Sequence, residues 1–190
     1  MGTTSSHGSD SPWIVSVRDL ARGAGIQRLL NAEWPAPAGV ATPLLGIPEG
    51  APVELELRLE SVHEGVLVTG TADAELEGEC SRCLTPLREG ITVDLQELYL
   101  TDPSVEDDGE QPLVERETVD LEPMFRDAVV PALPFRPLCR PDCQGLCPDC
   151  GIRLEDAPAG HAHERVDPRW AALAAFAGSE KTSTPETEER

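Results

Sequence analysis

The sequence predicts an α+β fold: an antiparallel β-meander forming a partly closed sheet, short helices covering it, and a carboxy-terminal cysteine-rich zinc-knuckle segment. Three observations carry this. Val53, Leu55, Leu57 and Leu59 alternate with charged residues, and Val66, Val68, Ala72, Ala74 and Leu76 alternate with polar ones, the period-two pattern of strands with one buried face. Leu121, Phe125, Ala128, Val129 and Ala132 share one side of a helix. The six cysteines fall into a single pattern, Cys80 and Cys83 as C-x2-C, then Cys139, Cys143, Cys147 and Cys150 as C-x3-C-x3-C-x2-C.

In chain order, residues 1–11 are rich in Ser, Thr and Gly and read as a disordered tail, followed by a single domain over 12–177 with its cysteine-rich segment at 138–151, and by a second polar tail over 178–190. Trp13 to Val17 alternates as a strand. The spacing of Ile26, Leu29, Leu30 and Trp34 predicts a short helix over about residues 24–33. Arg18, Arg22 and Arg28 make this the one locally basic stretch, readable as a solvated face or as an RNA or partner contact. Pro35 to Pro52 is a proline-rich loop. The alternating runs at 53–60 and 66–77, joined by His63-Glu64-Gly65, make an antiparallel hairpin. Ile91, Val93 and Leu95 form a third strand, whose pattern shifts near Gln96-Glu97 toward Leu98 and Leu100 as a bulge would produce. Cys80-Ser-Arg-Cys83 therefore falls where the second and third strands of the meander join, as a knuckle at one end of the sheet.

Residues 102–112 read as an acidic, solvated loop without the ligand spacing of a calcium site. Leu113 to Val119 predicts a further strand, and Asp120 caps the helix that follows. Pro131 should end that helix. Pro131, Pro134 and Pro137 then make a stiff extended connector into the cysteine cluster. Asp167-Pro168 starts a closing helix with Trp170, Leu173, Ala174 and Ala177 on one face, stopped at Gly178.

The formal charge is -20, from 35 acidic against 15 basic residues. Such a field disfavours direct binding of naked RNA and favours a basic protein partner. No apolar run reaches about 18 residues and no export signal is visible, so the expectation is a cytoplasmic protein with no membrane association. Paired C-x2-C motifs in a reducing compartment point to metal ligation rather than disulfides.

Soft thiolates at this spacing suit a structural Zn²⁺ in a closed site of four cysteines. Two assignments satisfy the count. Cys139, Cys143, Cys147 and Cys150 could close a local site with Cys80 and Cys83 apart, or Cys80 and Cys83 could join Cys147 and Cys150 with Cys139 and Cys143 left over. The first is favoured because its ligands need almost no loop closure, whereas the second closes about sixty residues. His161 and His163 could supply a ligand but read as exposed loop residues. No phosphate loop, nucleophile elbow or paired helical histidines is present, so no enzyme is expected. A thiol redox protein would need a reactive cysteine at a helix amino terminus, and neither C-x2-C pair has that setting.

With these residues in view, the chain resembles the YceD family, proteins associated with accumulation of large-subunit ribosomal RNA. The resemblance rests on Gly78-Glu-Cys80-Ser-Arg-Cys83-Leu84, on Val119-Asp-Leu-Glu-Pro123 through Ala128-Val-Val-Pro-Ala-Leu-Pro134, on Leu138 through Gly151, and on Asp167-Pro-Arg-Trp-Ala-Ala-Leu173. It covers roughly residues 13 to 177, and the later cysteine cluster looks like a version found in part of the family. The resemblance implies a non-enzymatic ribosome biogenesis factor supporting accumulation and processing of 23S ribosomal RNA. The acidic composition adds the expectation that its direct partner is a basic ribosomal protein or a large-subunit assembly factor. A zinc-stabilised interaction module outside ribosome biology is the alternative, followed by a thiol redox protein.

Overall fold

The alternating runs fold as their period requires: every second residue of 53–59 is buried, and each such Val or Leu contributes on the order of 1.5–3 kcal/mol. The computed structural model describes residues 11–20, 23–102, 111–163 and 169. Arg22, most of the acidic loop, the closing helix expected after Asp167 and both tails lie outside the described residues. The chain divides into two compact units, residues 1–145 and 146–190, with the boundary inside the cysteine-rich segment.

In the first unit the elements are β1 (Ile14–Ser16), β2 (Gln27–Pro35), β3 (Leu45–Gly46), β4 (Pro52–Ser61), β5 (Gly65–Glu79), β6 (Pro86–Leu100), β7 (Thr118–Asp120) and α1 (Glu122–Ala132). β4, β5 and β6 form the expected antiparallel meander, and β2 pairs with β4 on its outer side. β3 pairs with Gly78 and Glu77 beyond the end of β4, on the same side of β5. The sheet is open rather than partly closed, because β2 and β6 lie at opposite edges and do not pair. A small second sheet, β1 with β7, joins one helix in the same core; among the described residues α1 is the only helix, where several were expected. Trp13 ties these layers together: its indole N–H donates to the Pro35 carbonyl at 3.0 Å, and its ring meets Trp34 edge-on at 5.3 Å and Phe125 at 4.7 Å.

Five local expectations are corrected. Residues 27–35 are a strand, not a helix. Arg28, Leu30, Ala32 and Trp34 turn toward the protein while Gln27, Leu29, Asn31 and Glu33 face out. The alternation is disguised in the sequence because Leu29 is 73% exposed and Arg28 points inward, where its guanidinium meets Asp19 at 3.0 Å and the Ser16 carbonyl at 2.9 Å. No bulge interrupts β6: fifteen pairs run without slip from Gly65 opposite Leu100 to Glu79 opposite Pro86. Leu98 and Leu100 lie on the face opposite Leu95 and Tyr99, and Leu100 is buried because the segment after it crosses back, with Leu100 N–H donating to the Pro112 carbonyl and Val114 N–H to the Leu100 carbonyl, both at 2.9 Å.

Leu113 to Val119 is not one strand. Arg116 and Glu117 have φ of 50° and 63°, and Glu115 and Thr118 exchange backbone hydrogen bonds of 2.9 and 2.8 Å around them, a two-residue turn of the I′ kind. The helix begins with Leu121 at the cap position, although the Asp120 carboxylate accepts the Glu122 N–H at 3.0 Å as a cap should. It also continues through Pro131 to Ala132. The missing N–H of Pro131 falls in the last turn, and the buried pair Val129 and Leu133 holds that turn against the core. The proline-rich residues after it form no regular element.

In the second unit, the described residues 146–163 contain no helix or strand beyond a single bridge between Leu146 and Arg153. Among the described residues no helix is long and apolar enough to cross a membrane.

Candidate metal centres

The first cluster is built at the far end of the longest strand pair. β5 ends at Glu79 and β6 begins at Pro86, and the turn between them is closed by Cys80 N–H to the Thr85 carbonyl at 2.8 Å and Leu84 N–H to the Cys80 carbonyl at 3.0 Å. Leu84 adopts φ 58°, a left-handed conformation that aims Cys80 and Cys83 the same way. Helix α1 returns the chain to this point: Ser81 N–H donates to the Pro137 carbonyl at 2.8 Å, and the Arg82 guanidinium donates to the Cys143 carbonyl at 2.7 Å.

Cys80, Cys83, Cys139 and Cys143 thereby converge, with all sulfurs within 4.8 Å of one another. Cys80 and Cys143 lie 3.8 Å apart, Cys83 and Cys139 3.6 Å. Four thiolates at about 2.3 Å from a tetrahedral ion would stand about 3.8 Å apart, the spacing of these two pairs. Cys80, Cys83 and Cys143 are buried and Cys139 is exposed.

The thiols are divided electrostatically. Burial opposes ionisation of Cys80, yet backbone N–H groups of Cys139, Arg82 and Cys83 outweigh it and hold the thiol at about 6. The Thr85 hydroxyl and backbone lower Cys83. Although Cys139 is exposed as a residue, desolvation of its sulfur, followed by the neighbouring thiols, pushes it up to about 12, and burial raises Cys143. The surroundings thus favour ionisation at Cys80 and Cys83 and oppose it at Cys139 and Cys143, where a bound cation would offset the cost.

The second cluster repeats the turn. Cys147 N–H donates to the Ile152 carbonyl at 2.8 Å and Gly151 N–H to the Cys147 carbonyl at 2.9 Å, with Gly151 at φ 73° in the position Leu84 holds in the first knuckle. A turn with His161 N–H on the Pro158 carbonyl brings two imidazoles back. His161 Nε2 lies 3.6 Å and His163 Nε2 3.3 Å from Cys150 Sγ, and the two nitrogens are 3.2 Å apart. Zn–N near 2.0–2.1 Å and Zn–S near 2.3 Å predict about 3.3 Å between nitrogens and about 3.6 Å between sulfur and nitrogen. Hydrogen bonding from His161, the largest cause, lowers the Cys147 thiol to about 6.

All six cysteines expected as metal ligands therefore enter metal-competent clusters, in neither of the two expected groupings. The local set Cys139, Cys143, Cys147 and Cys150 is divided between the units, and Cys80 and Cys83 take Cys139 and Cys143 rather than Cys147 and Cys150. His161 and His163, read as loop residues, complete the second set. Their alternate-residue spacing soon after a knuckle was the signal for them. Of the basic stretch, Arg18 pairs with Glu117 at 2.7 Å on the surface and Arg28 with Asp19 at 3.0 Å, while Arg22 lies outside the described residues.

An open antiparallel sheet whose central hairpin ends in a tetrathiol clasp, followed by a thiol and imidazole cluster, defines an acidic protein with two candidate metal-stapled knuckles. The chain belongs to the YceD family. The family model described as "Large ribosomal RNA subunit accumulation protein YceD" matches residues 68–177, from within β5 through α1 and both clusters. An uncharacterized protein of Mycobacterium tuberculosis strain H37Rv is 46% identical over 184 residues, 94% of this chain and 88% of the relative, as is one of Mycobacterium bovis. An uncharacterized protein of Mycobacterium leprae is 39% identical over 192 residues, 98% of this chain and 88% of its own length. No solved structure matches the chain.

Proposed function

We propose that this protein is a non-enzymatic factor acting in the cytoplasm to support accumulation and processing of 23S ribosomal RNA, and that Zn²⁺ at Cys80, Cys83, Cys139 and Cys143 is structural. The observation that carries the reading is the family match over residues 68–177, which contains the hairpin, the helix and the clasp. A site closed by four thiolates has no position for water or substrate, which supports a structural metal over a catalytic one. The charge of -20 supports a basic ribosomal protein or a large-subunit assembly factor as the direct partner, with RNA reached through it. Deleting the gene and measuring precursor and mature large-subunit RNA tests the role: a fall in mature 23S RNA is expected, and an unchanged profile refutes it. Salt-sensitive binding of purified protein to ribosomal RNA alone would overturn the choice of partner.

A further inference from the structure

Residues 146–163 hold a defined shape without the means that hold the sheet unit. Apart from the Leu146 to Arg153 bridge, their backbone is organised by tight turns. Cys147 is the one buried residue among them. Ordering a backbone costs roughly 1–2 kcal/mol per residue, and no apolar core in this stretch offsets that cost. The convergence of Cys147 and Cys150 with His161 and His163 joins the knuckle to the loop beyond it.

We propose that Cys147, Cys150, His161 and His163 form a second, exchangeable zinc site, and that zinc bound there is what folds residues 146–163. The inference rests on the reading that the thiol clusters hold zinc. Two thiolates and two neutral imidazoles match the borderline softness of Zn²⁺ and its tetrahedral preference. The contrast with the first cluster makes this the weaker site. Four thiolates neutralise the ion and leave a net charge of about -2, whereas two thiolates only balance it. The first set is delivered by long strands and a packed helix, so little of its binding energy is consumed in ordering; the second must order its own loop as it binds. Cys150 and His163 are exposed, which gives a competing chelator a path to the ion, whereas three of the four thiols of the first set are buried.

Zinc content, cobalt substitution and amide exchange on the full-length protein test this. Two zinc ions per chain are expected, one for each cluster. A chelator of moderate strength should remove one of them first, and exchange should then rise at least about tenfold across 146–163 while 65–100 is unchanged. In the cobalt protein, the component lost first should carry the spectrum of a mixed sulfur and nitrogen site, distinct from that of four thiolates. His161→Ala with His163→Ala should hold one ion and reproduce the exchange pattern, and His163→Cys should keep both. The inference is overturned if the double variant retains two ions, or if the stripped segment keeps its protection. A single ion that is lost in Cys83→Ser but retained in the double variant sinks this inference and leaves zinc at the first cluster standing. A wild-type chain without zinc sinks both.

Discussion

Substituting Cys143 and Cys147 separately and together distinguishes the observed partition of ligands from any local grouping. In the structure the metal-competent set at Cys143 ties the β5–β6 turn to the chain after α1, joining Cys83 to Cys139 across 56 residues. A cross-link over a loop of that length restricts the unfolded chain by about 4 kcal/mol if it acts as a disulfide of the same span would. Metal present at about a thousand times its dissociation constant gives a similar figure by mass action, about 4.1 kcal/mol. For a unit of this size, that corresponds to a fall in Tm of roughly 8–16 °C in Cys143→Ser. Cys147→Ser should lose one zinc and leave the main transition within about 2 °C, because its ligands belong to the other unit. The assays are zinc quantitation and thermal unfolding followed by circular dichroism in a reducing buffer. Cys83→Ser with Cys143→Ser should cost no more than either alone, since the first loss already empties the site, whereas Cys143→Ser with Cys147→Ser should be additive in both readouts. Additivity between Cys83 and Cys143, or its absence between Cys143 and Cys147, would refute the partition.

Gly70→Ala should destabilise the sheet by at least about 1–3 kcal/mol in urea unfolding. Its Cβ would meet the Glu56 carbonyl oxygen at 2.0 Å and Leu57 Cα at 2.8 Å, both backbone atoms of the adjoining strand. Tyr99→Phe should cost about 1 kcal/mol, since the buried hydroxyl donates to the Asp120 carbonyl at 2.8 Å and its removal leaves β7 an unpaired acceptor. Burial, with Glu97 and Asp120 nearby, raises the Tyr99 pKa, so its ultraviolet titration should appear only as the protein unfolds at high pH. In the metal-free, reduced protein Cys80 is lowered from 9.0 to about 6, so its contribution to stability is complete above pH 9 and lost as pH falls through 6. Cys139, raised to about 12, works in the opposite sense, its contribution being complete below pH 9 and lost toward 12. The urea midpoint should therefore rise between pH 6 and 9 and fall above it, and Cys80→Ala should flatten the rising limb.

The meander was legible because β4 buries one face and wets the other and β5 carries its apolar residues on one face, so their period reaches the sequence undisguised. β2 was not, because an exposed Leu29 and an inward Arg28 invert the polarity on which a period is judged, and only pairing with β4 settles the conformation. The same limit hid the end of β6, where Leu100 is buried because a later segment pairs against it. At the metal centres, the ligand types were readable and the partners were not. Loop length argued for neighbours, but extending a closure from about ten residues to about sixty adds only about 1.6 kcal/mol. Here the sheet and helix α1 bring Cys80 and Cys83 to Cys139 and Cys143 as part of folding, so closure entropy does not choose the ligands. His161 and His163 read as loop residues because small residues surround them, which is also the backbone that can curl back onto a knuckle.

β5 and β6 outrun the rest of their sheet. Beyond Ala74, where β4 ends its pairing, the two strands continue for five more pairs, accompanied on one side only by the two residues of β3. A ribbon so thinly supported is apt to fray or to slide by a residue, which would reverse the faces of all its side chains. The tetrathiol clasp sits at its tip. A slip of one residue would swing Cys80 and Cys83 away from Cys139 and Cys143, so an ion held there would act as a register pin, fastening the longest strand pair at the end that β4 does not reach.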